Sequence, residues 1–299
     1  MRKRLIYRCD DVGYTLAYDL GLFRVIDAGI GCSADVMLDA EHVKEALEWI
    51  RERPWLSVGW HRHLWERPVL PAEEVPSLVN EEGRFKWGHR RQDLMAEATY
   101  EDAYREFKAE AELCNSILGR YPDVASVRED SDLPLEKAFK DVVEECGIVH
   151  NYYTTTGRTP AKKPREGMER RFPQPKVDEK YKDLHIVSDM SAVSSSYKME
   201  DWNDYNPIEN LTHPCWTEDE EIFFYGWHPG YVDDHILAES TCNIHRVREL
   251  QHALSKEFAE WIMENHVELV NFRDALYGTN EMQDHLKEIN SPLWIGNMK

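Results

Sequence analysis

No stretch of this chain stays apolar long enough to span a bilayer, and its N-terminal "MRKRLIYRCDD" is broken by Arg8 and two aspartates before the apolar region of a secretory leader could form. The expectation is a cytoplasmic protein that neither enters nor crosses a membrane. Cysteine is sparse and never spaced C-x-x-C. Cys9, Cys32, Cys114, Cys146, Cys215 and Cys242 lie far apart and read as scattered reduced thiols rather than a disulfide frame or a thiolate zinc site. Positive charge is also short, with 36 Lys and Arg against 56 Asp and Glu, a formal net charge of −20. A field of that sign repels phosphate and excludes a nucleic-acid groove or an anionic membrane surface as partner. Internal repeats and low-complexity tracts are absent. A neutral or cationic small molecule remains the natural ligand class.

Short apolar runs alternate with segments of helical period, the pattern of a parallel sheet covered by helices. "RLIYRCDD" reads as a first strand, Tyr18 to Ala28 as a helix stopped at Gly29, and "CSADVML" as a second strand. "EHVKEALEWIRERP" reads as a helix ended by Pro54, and "LSVGWHRHL" as a third strand. Helices about Tyr100–Leu118 and Pro134–Cys146 bracket the extended "DVASVRED", and "GIVHNYY" follows. Late in the chain come "EIFFYGWHPG", a long helix from about Asn243 to Asn265, and "VELVNF". About seven alternations predict a single α/β barrel-like domain over residues 1–299, with functional groups at the carboxyl ends of its strands. Residues 158–182 hold nine Lys or Arg against four Asp or Glu, with four prolines. They predict an insertion at about 153–215 that serves as a lid, an oligomer contact or a plain surface loop.

Strand ends supply Asp10 and Asp11, His61 and His63, and His228 in "WHPG". Carboxylate oxygens and imidazole nitrogens from separate strands suit a divalent cation with one position left for water. A cation would neutralise one aspartate and leave the other to act as a base. Neighbours on a strand point to opposite faces, which predicts different roles for the two. Plainer roles stand beside these: the pair could cap the next helix or bind an arginine such as Arg62, His61 could be a hydrogen-bonded core residue, and His228 a turn residue. His63 shares a strand face with His61, so a His-x-His pair is an open alternative. Trp60, Trp65, Trp87, Trp202, Trp216 and Trp227 could stack on sugar faces, although ten tryptophans mostly imply packing.

In their order along the chain, "DDVG", "GIGCSADVML", "VGWH", "VPSLVNEEGRF", "HPGY" and "RVREL" resemble the landmarks of the YdjC-type carbohydrate deacetylases, the ChbG/HpnK group. The resemblance implies a barrel-like, metal-dependent hydrolase, with Mg or Zn, that removes acetyl groups from N-acylated sugars. Carried over by position, Asp10 matches the general base, Asp11 and His61 metal ligands, and His228 the acid. The family's further histidine ligand comes from a His-rich segment after a proline. The corresponding "YPDVASVREDSDLP" has no histidine, and Arg128 or its neighbour falls at that place. Always protonated, an arginine cannot ligate. Glu129 is therefore the expected third ligand, Asp130 the second choice, and His63 and then His150 the competitors. Alternatively, "REDSD" merely caps the next helix through Asp132. Two rival functions remain open: a non-catalytic sugar-binding relative, and a hydrolase of the same mechanism acting on a non-sugar amide.

Overall fold

The first apolar run becomes β1 (Arg4–Val12), buried from Leu5 onward on both faces, as befits a central strand with neighbours on each side. The computed structural model describes residues 3–88, 92–129, 131–155, 176–188, 222–240 and 242–298. Its other strands are β2 (Ser33–Val36), β3 (Ser57–Trp60), β4 (Val124–Ala125), β5 (Thr154–Thr155), β6 (Ile186–Ser188), β7 (Ile222–Trp227) and β8 (Glu268–Leu269). They form one eight-stranded sheet in the order β4-β3-β2-β1-β7-β6-β5, with β8 also on β1. Every strand pairing is parallel. Val149, just ahead of β5, bridges Val124 of β4, so the two ends of the sheet approach each other and the sheet curls into the expected α/β barrel-like form. All strands therefore present their carboxyl ends to one rim.

The covering helices are α1 (Leu16–Asp27), α2 (Val43–Arg51), α3 (Tyr100–Leu118), α4 (Pro134–Glu145), α5 (Asp234–Glu239), α6 (Ile244–Ala253), α7 (Lys256–Glu264), α8 (Phe272–Tyr277) and α9 (Glu281–Glu288). Among the described residues no helix is long and apolar enough to cross a membrane. Thr15 caps α1 by accepting a hydrogen bond from the Tyr18 amide, so the adjacent aspartates are free of that task. The single helix expected over 243–265 is instead α6 and α7. Ser255 interrupts it, its hydroxyl accepting from the Phe258 amide to cap a new helix. At α4 the cap position falls on Leu133, followed by Pro134, and not on Asp132.

The expected insertion at 153–215 contains β5 and β6, both hydrogen-bonded into the sheet. Most of the basic stretch 158–182, and Trp202, Trp216, Cys215 and Asp130, lie outside the described residues. The remaining five cysteines are all unbridged.

Candidate active site and metal centre

Asp10 and Asp11 end β1, Asp35 lies in β2, His61 follows β3 and His228 follows β7, so the parallel sheet delivers all five to one rim. Alternation along β1 would send the two aspartates to opposite faces, yet both reach His61. The pairing of β1 with β2 slips between Cys9 and Val12, and Asp11 adopts a left-handed backbone with φ of 60°. This bulge turns the Asp11 side chain back toward its neighbour's side of the barrel, an unusual conformation of the kind concentrated at functional sites.

A chain of buried charges links these residues. Arg8 grips Asp10 with two hydrogen bonds, Nε to Oδ1 at 2.7 Å and Nη2 to Oδ2 at 2.9 Å. Its Nη1 lies 3.3 Å from Asp35 Oδ2. The same Asp35 oxygen stands 2.8 Å from His61 Nδ1, and His61 Nε2 stands 2.9 Å from Asp11 Oδ1. Asp11 Oδ2 accepts from Arg246 Nη2 at 2.6 Å. His63 Nε2 approaches Asp11 Oδ1 to 3.7 Å, and His228 Nε2 approaches Asp11 Oδ2 to 4.0 Å. Glu249 of α6 accepts from the His228 backbone amide at 2.6 Å and faces its ring.

Neighbouring strands leave room for these side chains by carrying glycine. A Cβ on Gly59 of β3 would lie 1.6 Å from Asp35 Oδ1, and one on Gly226 of β7 would lie 2.6 Å from both Arg8 Nη2 and Asp10 Oδ2. The barrel interior is thus shaped around the carboxylates.

Burial works against the ionised Asp11, but the Arg246 guanidinium and the His228, His61 and His63 rings together hold its carboxyl well below the usual range. Asp35 is likewise lowered against burial, chiefly by Arg8 and then by His61. Burial disfavours a charged His61, yet its bonds to Asp11 and Asp35 prevail and raise its pKa to about 10. The centre is built to hold positive charge between two carboxylates.

One ligand atom from each of Asp11, His61 and His63 lies within 4.8 Å of the others. A carboxylate oxygen with two imidazole nitrogens is a donor set that fits a divalent cation. Asp35 on Nδ1 turns the Nε2 of His61 toward Asp11, the supporting contact characteristic of ligating histidines. Asp10, Asp35 and His61 form a second such group sharing His61.

Glu129 is not brought to this centre. Its carboxylate accepts from Lys140 at 2.9 Å and from the Asn151 side chain, with His150 at 3.5 Å. Its partners are Lys140 in the second half of α4 and residues 150 and 151 beyond that helix's end. His150 shares that location. Arg62, the arginine considered for the aspartates, pairs instead with buried Glu136 at 2.8 Å. Arg8, Asp35, Arg246 and Glu249 were missed at the sequence level, although an acid in a buried strand, as in "CSADVML", calls for a charged partner.

A parallel barrel with carboxylates and imidazoles gathered at its strand ends defines an α/β barrel protein with a candidate metal-ligand group at the rim where such folds place their active sites. More narrowly, the chain belongs to the YdjC-like protein family, whose model matches residues 4–264. It is similar to a carbohydrate deacetylase of Clostridium beijerinckii, 29% identical over 273 residues that cover 91% of this chain and 99% of the relative. Carbohydrate deacetylase 2 of Listeria innocua is 26% identical over 278 residues, covering 91% and 98%. The crystal structure of a candidate cellobiose-phosphate cleavage protein from Enterococcus faecalis superposes with a TM-score of 0.64 at 23% identity, covering 92% of this chain and 99% of that one. At that identity the likeness speaks for the fold.

Proposed function

We propose that this protein is a metal-dependent deacetylase of N-acetylated sugars, with Asp11, His61 and His63 holding the cation, Asp10 as general base and His228 as general acid. The observation that carries this reading is the Asp11–His61–His63 group set beside Asp10 and His228 at one rim. Alignment with carbohydrate deacetylases over 91% of the chain supports the choice of substrate class. Two imidazoles favour a zinc-class ion over magnesium, which prefers oxygen ligands.

When bound, the ion supplies positive charge that polarises the acetyl carbonyl and acidifies water. Arg8 fixes the Asp10 carboxylate in one orientation, and each oxygen keeps a lone pair with which to take the proton of the attacking water. His228, anchored through its backbone by Glu249, gives a proton to the departing sugar amine. Trp65 packs on His63 with ring centroids 3.7 Å apart and stands edge-on to Tyr14 at 6.0 Å. Trp65, half-buried where Tyr14 is buried, offers an apolar face to a pyranose.

Incubating metal-loaded protein with N-acetylglucosamine oligomers, and with non-sugar N-acetyl amides for comparison, tests the reading. Acetate and free amine in equal amounts from the sugars support it. Acetate from the other amides alone points to the non-sugar hydrolase, and none from any N-acetylated sugar refutes the proposal.

A further inference from the structure

Behind His228 lie two further donors, Cys242 and His245, to which the deacetylation chemistry gives no role. Cys242 directly precedes Asn243, the cap of α6, and His245 stands in the first turn of that helix. The Cys242 thiol hydrogen-bonds Nε2 of His245. One ligand atom from each of His228, Cys242 and His245 lies within 4.8 Å of the others. The His228 and His245 rings meet edge-on with centroids 6.2 Å apart.

The backbones carrying these side chains are tied down. Arg246 Nε donates to the Cys242 carbonyl, and the His228 amide donates to Glu249 of the same helix. His245 is 1% exposed. The three donors thus come from two anchored elements rather than from free surface side chains. The local pattern is C-x-x-H, and the third donor comes from the residue that follows β7.

The donor chemistry separates this cluster from the one around Asp11. A thiolate with two imidazoles suits borderline and soft cations such as zinc or cadmium, whereas the Asp11 group has no sulfur. We propose that His228, Cys242 and His245 form a second metal site, selective for zinc-class cations, which on filling withdraws His228 from proton transfer. Binding stands independently of the deacetylase reading, while inhibition rests on the role of His228 in it.

Cobalt(II) titration of metal-free protein tests the site, since only a cysteine ligand produces a thiolate-to-cobalt charge-transfer band. The parent should develop that band, Cys242→Ser should lack it and His245→Gln should weaken it. Absence of the band in the parent, or a band of full strength in Cys242→Ser, overturns the site. This readout uses resting protein, so failure of the acetyl-sugar reading leaves it intact. With substrate, excess zinc should lower parent turnover by about 10²-fold, the scale of one proton-transfer group. Cys242→Ser should resist, and equal inhibition of both proteins overturns the sharing of His228.

Discussion

Asp11 and Arg246, 235 positions apart in sequence, form an ion pair with Oδ2 2.6 Å from Nη2 and side chains 3% and 0% exposed. Arg246 also packs its guanidinium over the Tyr18 ring at 4.7 Å. A buried carboxylate stripped of its partner is strongly destabilising, at about 3–5 kcal/mol. Arg246→Gln should therefore lower the melting temperature of the metal-free protein, and added divalent metal should recover more stability in the variant than in the parent, because the cation then compensates Asp11 alone. Calorimetry with and without metal checks this. An identical metal-induced shift in both proteins would show that Arg246 and the cation do not share Asp11.

Asp35 touches His61 through Nδ1, on the side of the ring opposite the Nε2 that faces Asp11. Asp35→Asn removes the carboxylate that orients the ring, and contacts of this kind are worth about 10- to 100-fold in metal affinity. Metal titration should show a loss of that size, with the fold retained. Unchanged affinity would leave Asp35 a role only in neutralising Arg8.

Proton transfer separates from metal binding in two variants. Asp10→Asn should keep bound metal and lose about 10²- to 10⁴-fold in turnover, because the amide cannot take the proton. His228→Ala should keep the metal too, but its loss should shrink on a substrate whose leaving group needs no protonation. Near-parent turnover in Asp10→Asn removes Asp10 from the base role, and equal losses on both substrates make His228 a positioning residue.

Asp19 gives the fold a pH dependence of its own. Burial raises its pKa to about 8, against the hydrogen bond it accepts from the Gly13 amide. The folded value lies above the unfolded one of about 3.9, so its contribution to stability is complete below about pH 4 and is lost as pH rises toward 8. Asn keeps the acceptor for Gly13 and does not ionise. Between those limits the melting temperature of Asp19→Asn should therefore rise relative to the parent as pH increases. Parallel curves would contradict this.

Much of the barrel is legible in sequence because buried parallel strands leave apolar runs, and "RLIYRCDD" and "EIFFYGWHPG" are two of them. The carboxylate pair is legible for the same reason, since charge at the end of such a run demands an explanation. The bulge at Asp11 is not, because the period-two pattern of a strand carries no sign of the residue at which the backbone turns left-handed. Asp35 hid because its counter-charge, Arg8, comes from the neighbouring strand, and the space it fills is made by Gly59 on another. Glu129 stands beside the position of a family histidine, but position along a loop does not fix which way a side chain faces. Lys140 and Asn151 hold it at α4.

The central claim is that a divalent cation sits among Asp11, His61 and His63, and affinity measured across variants tests it most directly. Titrating metal-free parent, Asp11→Asn, His61→Gln, His63→Gln and Glu129→Gln with zinc, each in a Cys242→Ser background so that only one site is read, should give strong losses in the first three variants and parent-like affinity in Glu129→Gln. Strong loss in Glu129→Gln with none in His63→Gln would contradict the proposed centre.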